Sequence, residues 1–232
     1  SGGSTATRVW LSKQNEIFEF PCAQKPLLVR FDEGNHLLKE WIFKKSTDEL
    51  LHQLKHDDVV GRMWAISELV KRTDERRVID ELVTSAQSDS FWAVRRDAVY
   101  RLGGFRGTIQ MDLDRNLIPQ SRLDSVQMIA SVDRSRMSAL FKNKALDENS
   151  QVRAAALYAL GNLKTKEEAG FLRDRFETDD SYVAQAASLR ALGKCGDASF
   201  VSLLKKAVTV RSPRNVIWSA AEWALARISQ KD

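Results

Sequence analysis

The stretch FWAVRRDAVYRLGG, residues 91–104, decides how the rest of the chain is read, because it recurs. SQVRAAALYALGN (150–162) repeats Val94, Arg95, Ala98, Val99, Leu102 and Gly103 as Val152, Arg153, Ala156, Leu157, Leu160 and Gly161. SYVAQAASLRALGK (181–194) carries Ala184, Ser188, Leu189, Leu192 and Gly193 in the same register. VVGRMWAISELV (59–70) fits upstream through Gly61, Arg62, Ala65, Ile66 and Leu69, and VIWSAAEWALAR (216–227) keeps the small-and-apolar rhythm without the Arg and the Gly. With Ala65, Ala98, Ala156, Ser188 and Ala221 as equivalents, the steps are about 33, 58, 32 and 33 residues. Steps of thirty-odd residues are those of helix pairs stacked into a solenoid. The long step is read as a degenerate, shortened repeat over RGTIQMDLDRNLIPQSRLDSVQMIASVD (106–133), irregular before Pro119.

Outward from these copies, the helical period runs from Ser46 to the end. STDELLHQL opens with a capping box, Ser46 to Glu49, and sets Leu50, Leu51 and Leu54 on one face. Ala65, Ala98 and Ala156 are small because second helices must approach their neighbours closely. Gly103, Gly161 and Gly193 follow the last apolar residue of their helices, where a left-handed C-terminal residue is expected. Asp89, Asp147 and Asp179 each lie six residues ahead of Arg95, Arg153 and Gln185. That spacing puts each acid in the turn before a second helix, where it caps the helix and reaches the Arg of a neighbouring repeat. These six residues form a structural ladder rather than a binding site.

Residues 8–45 show a different period. RVWLS (8–12), IFEF (17–20), PLLVRFDEG (26–34) and LLKEWIFKK (37–45) alternate apolar and polar positions, as in Leu27, Val29 and Phe31, and read as strands. DEGN (32–35) is a turn with Gly34 able to take positive φ. Four such strands are too few to close a sandwich, so they read as part of a truncated β-sandwich. SGGSTAT, residues 1–7, is a linker or expression scar. The expected organisation is therefore a mainly α fold, a helix-pair solenoid over 46–232 preceded by a few strands over 8–45.

The chain has 232 residues and a net charge of +5, with 36 basic residues interleaved among 31 acidic ones. That balance describes a mixed solvated surface rather than a nucleic-acid stripe. No apolar run reaches membrane-spanning length. Cys22 and Cys195 are far apart and in no C-x-x-C pair, which excludes a disulfide framework or zinc knuckle and fits a reducing, cytoplasmic compartment. The phosphate-binding and nucleophile-elbow motifs G-x-x-x-x-G-K-[ST], G-x-G-x-x-G and G-x-S-x-G are missing. DRSR (133–136) and RSPR (211–214) are short basic loops, and Trp64, Trp92, Trp218 and Trp223 fall at helical positions suited to packing.

The VRxxAxxALG signatures and the Asp-x5-Arg spacing resemble HEAT repeats. The junction KPLLVRFDEGNHLLKEWIFKKSTDELLHQLKHDDVVGRMWAISELV (25–70) resembles the passage from β-sandwich to C-terminal helical domain in the aminopeptidase N family of zinc peptidases. The resemblance implies a noncatalytic C-terminal part that packs on the catalytic and β-sandwich domains of a parent chain and restricts access of peptide substrates. Zinc is implied for that parent and no cofactor for this part. The family's H-E-x-x-H is missing: the histidines are His36, His52 and His56, and the QLK between the last two offers no general base. No catalytic residue carries over, and the chain by itself is not expected to be an enzyme. The alternative is a free-standing scaffold that binds a protein or nucleic-acid partner on its concave face.

Overall fold

The computed structural model describes residues 3–34, 36–37, 43–104 and 134–230, and the chain divides into two units, Ser1–Ile42 and Phe43–Asp232. In the first unit the described residues contain no strand, which corrects the strands read at 8–12, 17–20 and 26–34; the one read at 37–45 lies mostly outside the described residues. Local contacts shape it instead. Ser12 donates from its N–H and hydroxyl to the Glu16 carboxylate at 2.8 and 2.7 Å, and Asp32 accepts the N–H groups of His36 and Leu37 at 3.1 and 2.8 Å. Gly34 has φ +89° in the DEGN turn. Alternation supplies an apolar face, but a strand persists only when its ladder is paired and that face is covered. Here Trp10 is 80% and Ile17 91% exposed, and Leu27, Val29 and Phe31 stay in solvent contact.

The second unit is helical, and its helices come in pairs. They are α1 (Thr47–His56) with α2 (Val59–Leu69), α3 (Arg76–Ser88) with α4 (Trp92–Leu102), and α5 (Arg134–Lys144) with α6 (Ser150–Leu163). Then follow α7 (Ala169–Thr178) with α8 (Tyr182–Cys195), and α9 (Val201–Ala207) with α10 (Val216–Ser229). The box at Ser46 and Glu49 forms and starts α1, Asp58 caps α2 through Gly61 N–H, and Asn149 caps α6 through Gln151 N–H. Within each pair the leucines and valines of both helices meet in the core. Val78, Leu82, Val99 and Leu102 do so in the second pair, and Met137, Phe141, Leu157 and Leu160 in the third. Ala65, Ala98, Ala156, Ser188 and Ala221 are all fully buried.

Second helices pack along one another, α4 on α6, α6 on α8 and α8 on α10, whereas first helices scarcely meet. The stack therefore closes toward its second-helix side. Glycines set that closeness. A Cβ on Gly161 would lie 2.7 Å from Ala191 Cα, and one on Gly193 would lie 2.6 Å from Ala224 Cα. Gly103 meets Ala159 in the same way. These glycines were expected as left-handed ends, and that is corrected: positive φ falls instead on Gly104 (+93°), Lys164 (+54°) and Gly196 (+69°). Gly103, Gly161 and Gly193 are right-handed helical residues whose missing side chain admits the next helix.

The long step in the repeat spacing has a spatial explanation. α4 packs directly on α6 and α3 on α5, so the second and third pairs are immediate neighbours in the stack. The degenerate repeat read over 106–133 lies outside the described residues.

The last second helix differs from the others. Glu222 is exposed where Ile66, Val99, Leu157 and Leu189 are fully buried. Trp218 stands where the earlier copies have Arg or Gln, and Ser212 and Ala226 stand where the three copies before it have Asp and Gly. α10 thus offers a polar side where its counterparts offer an apolar one.

Candidate interaction face

The ladder residues meet across the stack in one repeated geometry. Arg95 donates from Nε and Nη2 to the two carboxylate oxygens of Asp147 at 3.0 and 2.9 Å, and Arg153 does the same to Asp179 at 2.9 Å for both. Each guanidinium also donates from Nη1 to a carbonyl in its own repeat, Arg95 to Asp89 at 2.9 Å and Arg153 to Asp147 at 3.2 Å. Gln185 keeps the second contact alone, Nε2 to Asp179 O at 2.6 Å. Its amide has no fork to engage a carboxylate, and the register position it faces is Ser212. Sequence reasoning left out Arg62, which pairs with Asp89 at 2.9 and 3.0 Å and donates to Asp57 O. Its signal was there: Arg62 precedes Ala65 by three residues, as Arg95 and Arg153 precede Ala98 and Ala156, but it follows its acid by five rather than six.

The acids act in the turns. Asp89, Asp147 and Asp179 each accept the N–H two residues on, from Phe91, Asn149 and Ser181, which are themselves the N-cap residues of α4, α6 and α8. The carboxylate therefore closes an Asx-type turn ahead of the cap rather than capping the helix. Burial works to raise the pKa of Asp147 and Asp179, but the Arg and backbone donors outweigh it and hold both below the usual carboxylate range. A polar cleft of about 430 Å³ opens beside this ladder, lined in part by Gln87, Arg95, Lys144 and Asp147. Its cations are already engaged, since Lys144 donates to Asp147 at 3.1 Å and to Gln87 O at 3.0 Å. The ladder and its cleft join repeats to one another.

A second set of side chains lies elsewhere. A helix turns about 100° per residue, so positions two and six beyond the buried small residue face away from the first helices. On α4, α6, α8 and α10 the first of these rows reads Tyr100, Tyr158, Arg190 and Trp223, and on α6, α8 and α10 the second reads Asn162, Lys194 and Arg227. Tyr100 and Tyr158 meet edge-on, with centroids 6.1 Å apart. The Lys194 ammonium sits 3.4 Å from the Tyr158 ring centre and donates to Asn162 Oδ1 at 2.6 Å, while Asn162 Nδ2 donates to Gly103 O at 2.7 Å. Arg227 lies 5.5 Å above Trp223, and Arg96 lies 5.0 Å above Trp92. Burial, then Arg227, Arg190 and Lys164, pushes the Lys194 pKa down to about 7. Asp97, buried beneath this face, is raised by burial against the pull of Arg101.

Other singled-out residues are placed singly. His52 and His56 stack with centroids 4.4 Å apart, and among the described residues no three His, Cys, Asp or Glu side chains gather as a metal site. A histidine pair without a third ligand does not fit zinc. Cys22 is exposed and Cys195 buried. Trp64 lies under Lys45, Trp218 is half-exposed, and Arg136, expected in a basic loop, lies in the first turn of α5 and pairs with Asp80 at 2.6 Å. Among the described residues no helix is long and apolar enough to cross a membrane.

The repeat architecture has relatives. A family model described as HEAT repeats matches residues 119–192. The fold is a HEAT-type α-solenoid. It is similar to the structure of the CpcE–CpcF complex of phycocyanin lyase from Nostoc sp. PCC7120, at 18% identity, TM-score 0.58, covering 84% of this chain and 69% of that one. It is also similar to an engineered protein at 16% identity, TM-score 0.51 and 79% coverage of both chains. A third similar structure is a designed armadillo repeat protein in complex with the peptide (KR)4, at 15% identity and TM-score 0.51, covering 78% of this chain and 81% of that one. A search of curated proteins finds no match. At these identities the likeness is one of fold.

Proposed function

We propose that this chain is a HEAT-repeat scaffold that holds a protein partner against its second-helix face. One observation carries the reading. The ladder polar groups are consumed by bonds between repeats, whereas Arg190 and Arg227 stand exposed beside Tyr158 and Trp223 on adjacent second helices. Aromatic and Arg side chains presented together are the composition of protein interfaces. A two-chain lyase complex and a peptide complex among the similar solved structures support such a use of the fold. The other reading, a noncatalytic part of a zinc aminopeptidase, rested on the resemblance of the junction over 25–70, and no observation here favours it.

The test is site-specific photo-cross-linking in cells that express the chain. A photoreactive residue at position 190 on α8 is expected to trap a discrete partner that one at position 173, exposed on first helix α7, does not. Equal trapping at both positions, or trapping from position 173 alone, would remove the second-helix face from consideration.

A further inference from the structure

The cations of the second-helix face differ from those of the ladder and its cleft. Arg62, Arg95, Arg153 and Lys144 all have carboxylate partners. Lys164, Arg190, Lys194 and Arg227 have none among the described residues, and they lie on three successive second helices, α6 with its C-cap, α8 and α10. The other three lie near enough to Lys194 to bear on its protonation. Like charges gathered without a counter-charge repel one another, and an arriving anion relieves that repulsion. The rings beside them steer the choice of anion. Lys194 already covers Tyr158 and Arg227 already covers Trp223, so the ring faces fix the cations in place and are not open platforms for bases.

Resting on the scaffold reading above, we infer that the exposed Lys164, Arg190 and Arg227, grouped around Lys194, form a docking site for an acidic segment of a protein partner. The segment crosses α6, α8 and α10 with its carboxylates on these cations. Packed helices lie about 8–10 Å apart, and a polyproline-II segment turns once in three residues with a rise of about 3.1 Å per residue, so carboxylates three residues apart share one face and match one step of the stack. The neutral body of the segment then lies along Tyr158, Trp223 and the aliphatic stems of the cations.

The experiment uses the full chain and a fluorescein-labelled peptide with glutamate at every third position, read by fluorescence anisotropy at low salt. An Arg190→Glu/Arg227→Glu variant is expected to bind about tenfold more weakly or worse. A Lys205→Glu/Lys206→Glu variant, with the same change of net charge on exposed residues of first helix α9, is expected to bind as the unaltered chain does. Circular dichroism checks that both variants keep their helices. Absence of peptide binding overturns the proposal, as does equal weakening by the two variants. So does tighter binding of a single-stranded oligonucleotide that is lost in the Arg190→Glu/Arg227→Glu variant, which would assign the face to nucleic acid. If the peptide fails while position 190 still cross-links a partner, the scaffold reading stands and the acidic chemistry falls. If both fail, the face itself is wrong.

Discussion

Arg95 and Asp147 stand 52 residues apart in the sequence and face one another through two hydrogen bonds of 3.0 and 2.9 Å. The separation of Arg153 and Asp179 is 26 residues, with bonds of the same length and form. One geometry thus serves two very different chain separations, because what the pair measures is adjacency in the stack. The Arg95 and Asp147 side chains are 8% and 4% exposed, so the bond forms where water competes little for either group.

The ladder should have measurable energetic content. A double-mutant cycle on Arg153 and Asp179 by urea unfolding is expected to give an interaction energy of about 1–3 kcal/mol, within the range for directly bonded neighbours. Strict additivity of the two single substitutions would leave the bidentate bond without a share in stability.

Close helix approach makes a paired prediction with two glycines. Gly161→Ala places a Cβ 2.7 Å from Ala191 Cα and is expected to destabilise by about 1–3 kcal/mol, the usual cost of overpacking. Gly170→Ala, on α7 with nothing within 4 Å of the added carbon, is expected to be stabilising by about 0.5–1 kcal/mol, since alanine is the better helix former. Equal urea midpoints for the two variants would refute the packing account.

Ser188 occupies the position held by alanine in the other repeats, is fully buried, and its hydroxyl has no hydrogen-bond partner among the described residues. Ser188→Ala removes a desolvated polar group at little change in volume. It should raise stability by about 1 kcal/mol, and a lowered melting temperature would contradict the assignment.

Lys194 predicts a pH dependence of stability. Its pKa is pushed down to about 7 by burial and by Arg227, Arg190 and Lys164, with Cys195 opposing them, and its ordinary value is about 10.4. Between these values the unfolded chain carries a proton that the folded chain lacks, so this residue's contribution to stability rises with pH across the window. Below about pH 7 the folded protein must hold the charge and the penalty is complete. Lys194→Met should therefore gain stability relative to the unaltered protein at about pH 6, and the gain should shrink steadily toward about pH 10. A difference that does not vary with pH would sink this account.

Much of the fold was legible because its signals lie within a few residues of one another. Ser46 and Glu49 identify the start of α1 at a spacing of three, and the leucines of each second helix recur at helical spacing. The alternation over 8–34 was legible too, yet it misled. A period of two describes which side chains share a face but supplies neither a pairing strand nor a covering layer, and Ile17 remains 91% exposed. Glycine at the end of an apolar run was read as a left-handed terminus, since sequence does not distinguish that role from close approach by another helix. Gly161 and Gly193 take the second role, and Lys164 and Gly196 take the first.

The sequence by itself determined that the described residues from Ser46 form paired amphipathic helices and that the turns before α4, α6 and α8 each offer an acid ahead of a donor side chain. Those properties depend on caps, periodicity and side-chain chemistry within a single repeat. The tertiary structure alone decided that Arg95 meets Asp147 rather than another acid. It also decided that Ala191 fills the space left by Gly161, and that Lys194 comes to rest on Tyr158 beside Arg190 and Arg227. Each of these joins one repeat to the next, and which helices become neighbours is fixed by how their faces pack, whatever length of chain runs between them.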